Sequence, residues 1–232
     1  MIRLNLVVEG RSEERFVKDL LAGHLAGFNV SASAHSVTTS RSKGRVHRGG
    51  MRSYAQPQKD IAIWTKEDRN PDARFSTMFD LYRLPSDFPR YAEAMRSQDP
   101  FQKVLILEKA LAENVQDQRF IPYIQLHEFE ALLFADVSKL ASAYPDKRAE
   151  ITRLAQEAGA AVSPEHIDDG EESAPSKRIG REIPRYLHEK LAVGPQVATS
   201  IGLRVLRAKC AHFNEWVAKL EALGQSAFGN AS

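Results

Sequence analysis

The chain begins with a largely apolar run, Ile2–Val8, that leads directly into Glu9 and Gly10. An apolar run that ends at a glycine is typical of a buried β-strand. A helix is predicted over residues 13–26, because Ser12 is a suitable N-cap, two acids follow it and apolar residues then recur at helical spacing. Acidic side chains thus lie at the carboxyl end of a strand, where open α/β sheets usually carry their sites. A glutamate at the end of a buried strand needs a partner, and a bound cation is one such partner.

The rest of the chain continues this alternation of strands and helices. Further strands are predicted at residues 28–38, 73–84 and 119–126. Helices are predicted at residues 54–66, 91–96, 102–116, 146–160 and 177–191. One more amphipathic helix is indicated by the spacing of Leu206, Cys210, Phe213, Val217 and Leu220. The fold class is therefore α/β, with a mostly parallel four-stranded sheet flanked by helices.

The character of the sequence changes after about residue 136, where helical patterns replace the alternation. We predict an α/β domain over residues 1–135 and a helical C-terminal extension, residues 136–232, packed on it. Residues 40–50 are expected to form a mobile loop that ends at two glycines.

Acidic residues stand at the carboxyl ends of three predicted strands. The candidate metal ligands and catalytic acids are Glu9, Glu13, Asp80, Glu128 and Glu130. Acids from adjacent strand ends meet at one edge of a sheet, and hard cations such as Mg²⁺ or Mn²⁺ take oxygen ligands. A pair of such cations, about 3.5–4 Å apart, clamps both oxygens of a phosphodiester displacement. The alternative is that each acid is solvated or caps a helix, and the spacing does not decide between Glu128 and Glu130.

Composition excludes several classes of protein. The chain of 232 residues has a formal net charge of +2, which neither requires nor excludes nucleic acid as a partner. A single cysteine, Cys210, leaves no internal disulfide and fits a reducing compartment, and its place on an apolar stripe predicts a core position. No apolar run reaches the length of a membrane span, and the start lacks the pattern of a signal peptide. We expect a soluble cytoplasmic protein with no membrane partner.

Two basic segments are candidates for contact with nucleic acid. Residues 20–59 contain no acid, and Arg45 and Arg48 lie where a phosphate backbone would be contacted. Lys177 and Arg178 follow an acidic turn and begin a predicted helix, where cations oppose the helix dipole unless an anion meets them. That anion is either a substrate phosphate or the nearby acids. The alternative for the first segment is an ordinary solvated loop, and the alternative for the second is an internally salt-bridged turn.

His127 directly precedes Glu128 and is a candidate general base or a group that orients the carboxylate. A single histidine at a strand end is more often structural, so both readings stay open.

The segment Val-Val-Glu-Gly-Arg-Ser-Glu, residues 7–13, resembles the first motif of Toprim domains, which occur in topoisomerases, primases and overcoming-lysogenization-defect nucleases. The resemblance implies a Toprim-like Rossmannoid fold in which Glu9 and Glu13 contribute to metal binding. Residues 77–82, 122–134 and 169–178 are similar to a Toprim-like group, domain-of-unknown-function family 4276. Together these segments extend the resemblance over nearly the whole chain.

The sequence departs from the Toprim pattern at the second motif, which usually reads Asp-x-Asp and binds metal through both acids. Here the motif reads Asp80-Leu81-Tyr82. Either Glu128 or Glu130 compensates for the missing carboxylate, or the site holds one metal, or it is catalytically weak.

The resemblance implies a metal-dependent nuclease that cleaves DNA or RNA and works beside a separately encoded ATPase in defence against phage or plasmids. The alternative is a catalytically weak protein that binds nucleic acid or regulates a partner ATPase. A small-molecule phosphotransferase or phosphatase ranks last, because Gly10 stands without Walker-type spacing.

Overall fold

A computed structural model describes residues 1–42, 45–48, 51–167, 170 and 173–226, with side chains described outside 38–48 and up to 225. The strands are β1 (Ile2–Val8), β2 (Val30–Ser36), β3 (Thr38–Ser42), β4 (Arg45–Arg48), β5 (Ala73–Asp80), β6 (Phe120–Ile121) and β7 (Ile124–Gln125). The helices are α1 (Arg11–Phe16), α2 (Ala22–Ala26), α3 (Ala55–Glu67), α4 (Tyr91–Ala94), α5 (Pro100–Val115), α6 (Arg148–Ala160), α7 (Pro175–Glu182), α8 (Tyr186–Ile201), α9 (Leu203–Lys209) and α10 (Ala211–Ser226). A π-helical segment, Val17–Leu21, joins α1 to α2.

The central sheet has five strands in the order β2-β1-β5-β6, with β7 also paired to β5, and all of these pairings are parallel. Residues of β1 alternate between two cores: Leu4 and Leu6 pack with the α1, α8 and α10 side, and Val7 packs with the α3 and α5 side. Helices on both faces are what a parallel sheet requires. The predicted α/β class is therefore confirmed.

The fourth predicted strand is interrupted. Pro122 has no N–H to donate, and β6 and β7 lie on either side of it. The Thr77 hydroxyl of β5 bridges the gap, because it accepts the N–H of Tyr123 at 2.9 Å and donates to the carbonyl of Tyr123 at 3.0 Å. A side chain thus replaces the backbone ladder where the proline breaks it.

The C-terminal helix α10 contributes directly to the core of the sheet. Trp216 is 2% exposed and stacks on Tyr123, with ring centroids 4.2 Å apart. Its indole N–H donates to the Ser76 hydroxyl of β5 at 3.0 Å. The predicted boundary at residue 135 stays a prediction, although residues from both sides of it share one hydrophobic cluster.

Several predicted elements differ from the structure. The predicted strand 73–84 ends at Asp80, and the predicted mobile loop contains the antiparallel pair β3 and β4. The residues after Glu128 form a 3₁₀ segment, Phe129–Ala135, instead of an α-helix. The two glycines at 49–50, and the acidic turn at 168–172 apart from residue 170, lie outside the described residues.

The two helical regions near the C-terminus are also each divided in two. The predicted helix 177–191 is split at Pro184 into α7 and α8. The predicted last helix is two helices, α9 and α10, because the backbone of Cys210 is extended. Among the helices of the described residues, none is long and apolar enough to cross a lipid bilayer.

Candidate active site

The five predicted acids line one pocket of about 410 Å³. β1 and β5 are neighbours, so Glu9 after β1 and Asp80 at the end of β5 meet at the carboxyl edge of the sheet. Glu13 lies in the first turn of α1, and Glu128 and Glu130 lie at the start of the 3₁₀ segment that follows β7. The parallel arrangement of the strands is what brings these distant residues together.

Backbone N–H groups hold two of the acids in place. The Glu9 carboxylate accepts the N–H of Asp80 at 3.3 Å, and Glu13 accepts the N–H of Gly10 at 2.8 Å. A Cβ atom at position 10 would lie 3.2 Å from the Glu13 carboxylate, so glycine lets the carboxylate approach the backbone closely.

Burial and mutual repulsion raise the pKa values of these carboxyls. Burial raises the pKa of Glu9 to about 7, and burial together with the charge of Glu9 raises the pKa of Glu13 to about 8. The pKa of Asp80 is held well above its usual range by burial and then by Glu9 and Glu13. Burial and Glu128 also raise the pKa of Glu130. Neutral pH therefore falls close to the ionisation of Glu9 and Glu13.

One oxygen of the cluster has no hydrogen-bond partner. Oδ1 of Asp80 is buried and accepts no hydrogen bond, although Asp80 stands at the centre of four other carboxylates. A buried acceptor without a donor is costly, and repulsion from neighbouring acids adds to that cost. A bound cation would remove both penalties.

Three cationic residues line the same pocket: Arg11, Arg83 and Lys190. Nζ of Lys190 on α8 lies 3.6 Å from Glu130, which also accepts a hydrogen bond from the Tyr186 hydroxyl at 3.3 Å. Burial lowers the pKa of Lys190, but the charges of Glu130 and Glu128 outweigh it and the net direction is upward.

Sequence reasoning missed these three cations. The signal available for Lys190 was its position one helical turn after Tyr186, on the same face of a helix. Arg83 is the last residue of the 3₁₀ turn Leu81–Arg83 that follows Asp80, and Arg11 is the first residue of α1. None of these positions stands out before the strand ends are brought together.

The acid Glu128 also has a structural role. Its carboxylate accepts the N–H of Ser176 at 2.5 Å and the Ser176 hydroxyl at 3.1 Å, and it thereby caps the start of α7. Glu128 and Glu130 both line the pocket, so the geometry leaves both as candidate ligands.

Other predicted site residues lie elsewhere. Arg178 donates to the carbonyl of Ser173 at 2.6 Å and pairs at 3.2 Å with Glu157 of α6, which lies outside the acidic turn. Lys177 is exposed, and neither residue lines the acidic pocket. Arg45 and Arg48 belong to β4, and their side chains fall outside the described residues, so their contact with nucleic acid stays a prediction.

His127 does not line the acidic pocket either. Its backbone has φ of 62°, a left-handed conformation that turns the chain from β7 into the 3₁₀ segment. Its ring Nε2 lies 2.9 Å from the carbonyl of Glu165, and its own carbonyl accepts the N–H of Tyr82 at 2.8 Å. These contacts favour the structural reading of His127.

The chemistry of the acids suits a hard divalent cation. All five side chains offer carboxylate oxygens, and Oδ1 of Asp80 accepts no hydrogen bond. They do not form a ready-made coordination sphere: within the described part of the chain, no three His, Cys, Asp or Glu side chains are arranged to hold a metal ion as they stand. Glu9, Glu13, Glu128 and Glu130 each also accept a hydrogen bond from the protein. An ionised carboxylate has two oxygens and about four acceptor sites, so these hydrogen bonds are compatible with metal binding.

The fold and the pocket define an α/β protein with an acidic site at the carboxyl edge of a parallel sheet. More particularly, the chain belongs to the family described as Domain of unknown function (DUF4276), whose model matches residues 8–221. No curated protein matches the chain. Among solved structures, the C-terminal region of the Xanthomonas campestris pv. campestris OLD protein is similar at 16% identity and a TM-score of 0.43, covering 97% of this chain and 98% of that one. Those values are too low to transfer an activity.

Proposed function

We propose that the protein is a nuclease that cleaves DNA or RNA with Mg²⁺ or Mn²⁺ bound in the acidic pocket. The observation that carries the proposal is that five carboxylates line one pocket, in which Oδ1 of Asp80 accepts no hydrogen bond. The resemblance of residues 7–13 to the first Toprim motif supports the same assignment. The proposal includes a Toprim-like fold, a cytoplasmic location and a partner ATPase in defence against phage or plasmids, and these rest on that resemblance and on composition.

The ligands would come from Asp80, Glu9 and Glu130, with Glu13 and Glu128 completing the set. A bound divalent cation neutralises charge on the phosphodiester and activates water. Without a metal ion, Glu13 has a pKa of about 8 and holds a proton over much of the neutral range. A bound cation would favour the ionised form of Glu13.

The basic residues at the pocket supply the second half of a phosphodiester site. Arg11 and Arg83 are exposed and Lys190 is half-buried, so all three are accessible to a bound phosphate. A guanidinium can donate two hydrogen bonds to one phosphate. The two arginines therefore favour a site for an anionic substrate over a site that only binds a metal ion. The pocket therefore combines buried acids, which would hold the metal, with accessible cations, which would contact the phosphate.

A second candidate function is a catalytically weak module that binds nucleic acid or regulates an ATPase. Tyr82 stands in place of the second acid of the Toprim motif, its backbone N–H bonds to the carbonyl of His127, and it does not line the pocket. The engagement of four carboxylates by protein donors also favours this candidate.

The test measures cleavage and metal binding separately. Plasmid and single-stranded substrates are incubated with Mg²⁺ or Mn²⁺, and Mn²⁺ binding is measured by calorimetry, for wild type, Asp80→Asn and Glu9→Gln. Asp72→Asn is the matched control, because Asp72 is exposed at the opposite end of β5. The proposal expects cleavage to fall by about 100-fold or more in the pocket variants alone. Metal binding without cleavage by wild type identifies the second candidate, and absence of metal binding rejects the nuclease.

A further inference from the structure

The first helical segment of the chain presents three cations to solvent, which we call the basic row. The basic row consists of Arg11 and Arg15 of α1 and Lys18 of the π-helical segment, and all three are exposed. Arg15 follows Arg11 by four residues and Lys18 follows Arg15 by three, which is the spacing of neighbours on one helix face. From residue 11 to residue 18 the other side chains are buried or half-buried, so the basic row is what this face offers to a partner.

The basic row adjoins the acidic pocket. Arg11 is itself a lining residue of the pocket, and Nη1 of Arg15 donates to the carbonyl of Leu191 at 3.1 Å. Leu191 also lines the pocket, and it is 49% exposed. A guanidinium has five N–H donors, so this hydrogen bond leaves most of the donors of Arg15 available to a ligand. The basic row and the pocket are therefore neighbouring parts of one surface.

Two acids lie next to the basic row in the chain. Glu14 is half-buried, and its carboxylate accepts a hydrogen bond from the Ser36 hydroxyl of β2 at 3.2 Å. Asp19 is exposed and follows Lys18, at the end of the row that is farther from the pocket. The exposed positions from Arg11 to Lys18 are thus all cationic, and the row ends at Asp19.

We infer that the basic row holds the sugar-phosphate backbone of a DNA or RNA strand whose scissile phosphate lies in the acidic pocket, an inference that rests on the proposed function. Arg and Lys side chains are the groups that neutralise phosphates at such interfaces. Continuity with a pocket proposed to cut phosphodiesters favours a nucleic acid strand over an acidic peptide.

The length of the basic row sets the size of the substrate. Arg11 and Lys18 are separated by about 10 Å along the helix axis. One strand of a duplex carries a phosphate about every 3.4 Å of its axis, so the row spans about three phosphates. A strand that fills both the row and the pocket therefore needs about four nucleotides or more, and a dinucleotide is too short to contact both.

The test measures binding without cleavage. Fluorescein-labelled thymidine and uridine oligonucleotides of about two, four and twelve residues are titrated with protein in the presence of a chelator, and fluorescence anisotropy is recorded at several salt concentrations. The test variant carries Arg15→Gln and Lys18→Gln together. The matched control carries Lys66→Gln and Arg69→Gln, which remove the same charge from exposed positions near the start of β5, at the opposite edge of the sheet.

Wild type is expected to bind the longest oligonucleotide much more tightly than the shortest. Each lost contact between a cation and a single-stranded phosphate lowers the salt slope by about 0.7, which is about five-fold in affinity at 0.1 M salt. The test variant should therefore bind the longest oligonucleotide about 25-fold more weakly, with a salt slope smaller by about 1.4. The control should follow wild type.

Arg15→Lys separates charge from structure. It keeps the cation, so it should retain the salt slope of wild type, and thermal unfolding checks that each variant is folded. A test variant that matches wild type in affinity and slope, an equal loss in the control, or no binding by wild type overturns the inference.

An oligoglutamate that competes as well as an oligonucleotide of the same length assigns the basic row to an acidic protein partner and also overturns the inference. Failure of the proposed function is a separate result, because this binding is measured without metal. If Mn²⁺ binding and cleavage are absent and binding still depends on Arg15 and Lys18, the nuclease is rejected and the strand site is supported.

Discussion

The raised pKa of Glu13 predicts an unusual dependence of stability on pH in the metal-free protein. Below pH 4.5 the carboxyl is protonated in both the folded and the unfolded chain, so it contributes nothing to the difference between them. Between 4.5 and about 8 the unfolded chain has released the proton and the folded chain has kept it, so stability falls as the pH rises. Above about 8 both states are ionised, and the penalty is constant.

The interval from 4.5 to about 8 corresponds to roughly 5 kcal/mol, at about 1.4 kcal/mol per pH unit. Glu9 and Asp80 share this penalty, so we expect Glu13→Gln to stabilise the metal-free protein by about 3 kcal/mol at pH 8. Glutamine keeps an oxygen that accepts the N–H of Gly10, so the substitution removes the charge and not the hydrogen bond.

The assay is urea unfolding of wild type, Glu13→Gln and the control Asp72→Asn at intervals from pH 4.5 to 8.5, with a chelator present. The gain in Glu13→Gln should vanish near pH 4.5, and Asp72→Asn should follow wild type. Mn²⁺ at one hundred times Kd should cancel most of the difference, because wild type then gains about 2.7 kcal/mol. Equal free energies of unfolding for wild type and Glu13→Gln at pH 8 without metal would refute the reasoning.

Three further predictions concern side chains that hold the framework. Thr77→Val should lower the free energy of unfolding by about 2 kcal/mol in the same urea assay, because the N–H of Tyr123 loses its acceptor. Thr65→Val, at a half-buried position of α3 where the hydroxyl only donates to a carbonyl of its own helix, should change it little. Glu108→Ala should lower the free energy of unfolding by about 3 kcal/mol. It should also lower the pKa of His212, because burial then acts on the imidazole without the Glu108 carboxylate; an unchanged His212 pKa, measured by NMR titration, would contradict this. Ser176→Ala should cost about 1 kcal/mol in thermal unfolding, and Ser176→Thr should restore most of it, because the hydroxyl bond to the pocket carboxylate returns.

The sequence was sufficient to group the acids because their grouping depends only on strand order. Glu9 follows β1 and Asp80 is the last residue of β5, and neighbouring parallel strands have their carboxyl ends at the same edge of the sheet. The same logic supplied no information on Lys190 and Tyr186, which reach the pocket from α8 through helix packing. Packing of a distant helix has no local signature in the chain.

Helix continuity was predicted wrongly for a comparable reason. Leu206 and Phe213 keep a helical spacing across Cys210, since α9 and α10 both turn apolar faces to the core. The break is stabilised from elsewhere: the Glu165 carboxylate accepts the N–H groups of His212 and Phe213 at 3.1 and 3.0 Å and so caps the start of α10. A cap supplied by a residue far away in the chain leaves the local pattern unbroken.

The stacking of Trp216 on Tyr123 has a consequence for the order in which the protein acquires its structure. Strands β1 and β5 come early in the chain, but their core is closed by a ring from α10 that bonds to Ser76. A chain emerging from the ribosome carries an unsealed sheet until residues around Trp216 have left the exit tunnel. Contacts of such long sequence separation form slowly, so we expect the sheet to gain this contact late in folding.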